Sequence, residues 1–154
     1  MPELHLRISP VFLTTFRELV EGFVRHVGVQ LSVQPQGPDP EDEDMMDAWR
    51  EGLLASVRED CGQLMALMKD SGLGREKVVL EEENALAVIR ACSAVRLKIQ
   101  QLFLKPYGEE QLEEGELDFD EMGPELQQVY ACYVFLAGLQ ELLVHEVDPD
   151  ATRG

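Results

Sequence analysis

Four stretches of the chain place apolar residues every three or four positions, and short stretches between them alternate apolar and polar residues one by one. The longest low-charge run is Pro124 to His145, PELQQVYACYVFLAGLQELLVH. Leu126, Val129, Tyr130, Tyr133, Leu136, Ala137, Leu143 and Val144 fall on one helical face of it. Ala131, Val134, Phe135 and Leu139 occupy the other face, so this helix is expected to be covered on most sides and to organise the packing of the rest. A second helix runs from Pro10 to about His26, with Ser9 as N-cap and Pro10 at the first helical position. Its inward set is Phe12, Phe16, Leu19, Val20, Phe23, Val24 and Val27, and Gly28 can end it.

A third helix starts near Asp44 and reaches Asp70, with Met46, Trp49, Leu53, Val57, Cys61, Leu64, Met65 and Met68 as its inner stripe. Gly52 and Gly62 each weaken it by about 1 kcal/mol relative to alanine, and Gly62 suggests a kink or a close helix crossing. The fourth helix, Glu81 to Leu104, puts Leu86, Ile89, Cys92, Val95, Arg96, Ile99, Leu102 and Phe103 on one side. Glu81, Glu82 and Glu83 in its first turn, with Lys98 and Lys105 near its end, oppose the helix dipole at both ends, and Pro106 stops it.

Period-two alternation over Glu3 to Ile8 predicts a half-buried strand, and the β-branched run Lys77 to Leu80 predicts a strand able to pair with it. Residues 29–33 alternate as well and suggest a further short strand. Residues 34–44 (QPQGPDPEDED) form an acidic, proline-rich loop; residues 107–123 form an acidic connector tacked down by Leu112, Leu117 and Phe119; residues 148–154 are a tail. The chain therefore reads as one domain over residues 1–154, α+β but mainly α. A four-helix body carries a small two- or three-stranded antiparallel sheet at one edge.

Charge changes the picture more than composition does. The net charge is −17, from 30 acids against 13 Lys and Arg. Between Pro106 and Thr152 there are 13 acids and no Lys or Arg. Phosphate backbones and anionic membrane surfaces are poor partners for such a chain, because both need clustered cations. No run reaches the 18 or so apolar residues of a membrane span, and the N-terminus lacks a signal-peptide core. The three cysteines form no close pair, so free thiols in a reducing cytoplasm are expected.

Candidate chemistry is sparse. Cys61, Cys92 and Cys132 fall on three different helices with no C-x-x-C and no histidine at ligand spacing, so they read as small buried hydrophobes, and no metal is expected. Asp118, Asp120 and Gly123 echo a calcium loop, but Met122 and Val129 stand at two obligatory ligand places. Neither phosphate-loop nor dinucleotide motifs occur, and no cofactor or catalytic residue is assigned. Two sets of residues remain as candidates. Arg90, Arg96, Tyr133 and Glu141 form a structural or binding cluster, in which Arg96 would meet Glu141 and fix the register of the last two helices. Glu113, Glu114, Glu116, Asp118, Asp120 and Glu121 form an acidic interaction segment.

The runs Val79-Leu80-Glu81-Glu82-Glu83, Ile89-Arg90-Ala91 and Val95-Arg96-Leu97 carry a family pattern, continued by Tyr130-Ala131-Cys132-Tyr133, Leu136, Gly138-Leu139-Gln140-Glu141 and Leu143-Val144. The pattern covers about residues 78–147 and resembles a bacterial domain family of unknown function. The resemblance implies a gene often found beside that of the Clp protease adaptor, and it brings no activity and no site residues. The expectation from charge is a non-enzymatic interaction or regulatory protein that offers its acidic surface to a basic protein partner, with self-association left open. The alternative is a small-molecule or enzymatic site between the last two helices, built on the Arg90, Arg96, Tyr133 and Glu141 cluster.

Overall fold

Strand β1 (Glu3–His5) leads into helix α1 (Pro10–Val27); then follow α2 (Glu43–Met68), β2 (Lys77–Val79), α3 (Glu82–Leu102) and α4 (Pro124–Val147). The computed structural model describes residues 2–27, 42–104 and 122–148. The suggested strand at 29–33, residues 34–41 of the loop, residues 107–121 of the connector and residues 149–154 of the tail lie outside the described residues. Four helices and a two-stranded antiparallel sheet make the protein mainly α, as the periodicity requires.

The helix starts follow from local chemistry. Ser9 precedes α1, its carbonyl accepting the Leu13 N–H at 3.0 Å, and Pro10 opens the helix. Asp42 caps α2, its Oδ1 accepting the Met45 N–H at 3.1 Å, so the last residues of the acidic loop already belong to that helix. Gly123 and Pro124 open α4. In the sheet, Leu4 pairs with Val78 and both are buried, while Glu3 and Lys77 join on the outer face at 3.1 Å. The turn before β2 needs a glycine at Gly74, where φ is +86° and a Cβ would stand 3.1 Å from Ile8 Cγ2.

The helix at the centre is α3, not α4. It packs on α1, α2 and α4, whereas α4 lies mainly on α3 and otherwise touches β1 and α1. The cause is side-chain size. The buried face of α3 includes Ala85, Ala87, Ala91 and Cys92 beside Val88, Val95 and Ile99, and small residues let neighbouring axes approach from several sides. For the same reason Leu86, Leu102 and Phe103 are exposed rather than inward, as is Phe12 of α1. One flank of α4 stays open: Val134 is 48 % and Leu142 44 % exposed, while Val129, Tyr133, Leu136, Leu139 and Leu143 are buried.

Helix α2 departs from its expected stripe in its first half. Cys61, Leu64, Leu67 and Met68 are buried, but Trp49 is 42 % exposed. At 26 residues α2 is about 39 Å long, against about 27 Å for the 18 residues of α1, and its buried residues all fall in its second half. Gly62 does not mark a close crossing; the helix runs through it, and its Cβ position faces open space.

Candidate functional site

Two helical stripes meet along the α3–α4 seam. On α3 they are positions 89, 93, 96 and 100; on α4, positions 133 and 140, seven apart and so nearly eclipsed on one face. The Arg96 guanidinium lies in the seam, half-buried. Its Nη1 donates to Gln140 Oε1 at 2.9 Å and its Nη2 to the Tyr133 hydroxyl at 3.2 Å. Its central carbon sits 4.8 Å from the Tyr133 ring centroid, within reach of a cation–π contact. Gln100 Nε2 donates to the same hydroxyl at 3.2 Å. Gln140 Nε2 donates to the Ile89 carbonyl at 3.1 Å and, by a short contact, to Ser93 Oγ.

Among the described residues no carboxylate joins this network, and the buried Arg96 Nε has no hydrogen-bond partner. The cation is held by neutral oxygens and a ring face. That arrangement fixes the relative register of α3 and α4 through directional bonds, which an apolar seam would not do. The Ser93 hydroxyl takes part in this network as an acceptor from the Gln140 amide.

The structure brings together two of the four cluster residues, Arg96 and Tyr133. Glu141 is exposed, and the expected Arg96–Glu141 pairing is replaced by Arg96–Gln140. One residue along a helix turns the side chain by 100°, which carries Glu141 out of the seam. Arg90 lies elsewhere, clamping Asp60 of α2 with two bonds, Nε to Oδ2 at 3.0 Å and Nη2 to Oδ1 at 2.9 Å. That hydrogen bonding, with the negative charge of Asp60 and Glu59, pushes the Arg90 guanidinium up from its ordinary value. The clamp borders a cleft of about 480 Å³ between α2 and α3. Gln140, Gln100, Ser93 and Asp60 are the partners sequence reasoning missed. The seven-residue step from Tyr133 to Gln140 was a readable signal, whereas nothing in the sequence joins Arg90 to Asp60.

The acidic segment Glu113, Glu114, Glu116, Asp118, Asp120 and Glu121 lies outside the described residues. Of the acids that are described, all but Asp42 and Asp60 are exposed. Three of them, Glu3, Asp47 and Asp60, take part in ion pairs among the described residues. Cys61, Cys92 and Cys132 are free and buried. Burial pushes the Cys61 thiol up to about 11, helped by Asp60, and the Cys92 and Cys132 thiols up to about 12. No group of three or more His, Cys, Asp or Glu suited to a metal occurs among the described residues. No helix there is long and apolar enough to cross a membrane.

Comparison with known proteins gives one family. The family model "Domain of unknown function (DUF2017)" matches residues 15–147, reaching from α1 through α4 and well beyond the 78–147 span of the motifs. No curated protein matches the chain, and no solved structure does.

Proposed function

The chain belongs to the DUF2017 family, a domain of unknown function, and on that premise we propose that it is a non-enzymatic interaction or regulatory domain whose acidic surface receives a basic protein partner. The observation that supports this reading is the disposition of charge. The described acids point outward and few have a cation beside them, and the stretch between Pro106 and Thr152 adds acids without a single Lys or Arg. A surface of one sign raises the encounter rate with an oppositely charged protein and rejects like-charged ones. The same surface disfavours nucleic acid and anionic membrane. The bacterial setting implied by the family resemblance and the reducing cytoplasm expected from the unpaired cysteines belong to this proposal.

A small-molecule or enzymatic site between α3 and α4 is less well supported. It retains only Arg96 and Tyr133 in one place, and Gln100 and Gln140 already engage their polar atoms.

The test is capture from lysate on the full immobilised chain, at about 20 mM and about 500 mM salt, where the screening length shrinks severalfold. A partner of high isoelectric point should be held at low salt and released at high salt. It should also be lost when Glu113, Glu114, Glu116, Asp118, Asp120 and Glu121 are replaced by their amides. Capture that ignores both salt and these replacements would overturn the proposal, as would no capture at all.

A further inference from the structure

In a chain with so few cations, three of the 13 Lys and Arg converge on one concavity. Arg17 comes from the second turn of α1, Lys69 from the C-cap of α2, and Arg75 from the turn before β2. Together with Thr14, Ser71 and Asp70 they line a cleft of about 310 Å³ beside the start of α1. None of the three cations forms an ion pair among the described residues; the pairs there use Arg50, Lys77 and Arg90. Asp70 is the one acid in the lining, and its Oδ1 accepts the Gly72 N–H at 2.8 Å. The lining thus carries three positive charges against one negative, in a molecule of net charge −17. A solubilising surface would not gather cations here, since the rest of the chain does the opposite.

The chemistry of the lining selects the ligand. Two guanidinium forks and an ammonium suit a multiply charged oxyanion, and guanidinium binds tetrahedral phosphate by paired N–H donors. The first turn of α1 holds no acid, so its positive dipole end is left uncompensated at the cleft. The carbonyl end of α2 lies close by, and Lys69 offsets it. The volume is at the small end of ligand sites, roughly 300–1,000 Å³, which favours a small molecule over a polymer. We propose that this cleft, framed by Arg17, Lys69 and Arg75, binds the phosphate group of a small soluble phosphate ester.

The test is an amide NMR titration of the isotopically labelled full chain with inorganic phosphate and with glycerol 3-phosphate, sodium chloride holding ionic strength constant. Binding predicts saturable shifts centred on residues 11–17 and 69–75, stronger for the ester. The double variant Arg17→Gln, Arg75→Gln should raise the apparent Kd about tenfold or more. The pair Lys69→Gln, Arg75→Gln, both at exposed positions, repeats the test without touching α1. Shifts that do not saturate, that chloride reproduces, or that survive both double variants would overturn the proposal. So would binding to phosphatidylglycerol vesicles without binding to either soluble phosphate, which would assign the cations to a lipid surface.

Discussion

Gln140 spans the seam between α3 and α4 with three hydrogen bonds, accepting from Arg96 and donating to the Ile89 carbonyl and Ser93. Replacing it by leucine leaves a half-buried guanidinium with one fewer acceptor, and a cost of about 1–3 kcal/mol is expected in urea unfolding. Glu141→Gln, one residue along and exposed, should stay within about 0.5 kcal/mol. A double-mutant cycle on Arg96 and Gln140 should show coupling above about 0.5 kcal/mol, and one on Arg96 and Glu141 below about 0.3 kcal/mol. The cysteines give a prediction in pH. Folding raises their thiols from an ordinary 9.0 to about 11 or 12, so their contribution to stability is full below pH 9 and is lost as pH climbs through the raised values. At about pH 8 alkylation of Cys92 and Cys132 should therefore be about a hundredfold or more slower in the native protein than in urea, as mass spectrometry can follow.

Among the elements, α2 carries two glycines that the fold does not use. At Gly52 and Gly62 an added Cβ meets open space inside a continuous helix. Alanine at each should stabilise by about 0.5–1 kcal/mol, because it removes backbone freedom from the unfolded chain without a clash. Gly74→Ala should do the reverse by about 1–3 kcal/mol, since φ is positive there and Ile8 stands close. Thermal melts of the three variants settle both signs. The small residues of α3 make a stricter demand. Ala91 is fully buried on the most enclosed helix, and Ala91→Leu should cost about 1–3 kcal/mol or more by prising its neighbours apart.

For the whole molecule the governing quantity is uncompensated negative charge. Like charges on the surface favour expansion, and dissolved salt screens them. Raising sodium chloride from about 10 mM to about 300 mM should raise the melting temperature, because repulsion among exposed acids outweighs the three described ion pairs that salt weakens. A melting temperature that falls with salt would mean attractive pairs dominate. The same screening opposes the proposed capture of a basic partner, so stability and binding should respond to salt with opposite signs.

Periodicity and punctuation in the sequence were enough to determine the four helices, the pairing of the two short strands and the start of each helix. These depend on local steric and capping rules that a chain carries within itself. The lopsided charge and the burial of all three cysteines were equally readable. Tertiary structure alone decided that α3 rather than α4 lies at the centre, because an alanine stripe gains its meaning only when other helices come close to it. It also decided that Arg96 meets Gln140 and that Arg90 turns to Asp60. Partners on separate helices are chosen by relative rotation, which a 100° step per residue sets and residue type does not. The gathering of Arg17 with Lys69 and Arg75 has the same origin: two segments far apart in sequence, the start of α1 and the end of α2 with its following turn, share an address only after the chain has folded.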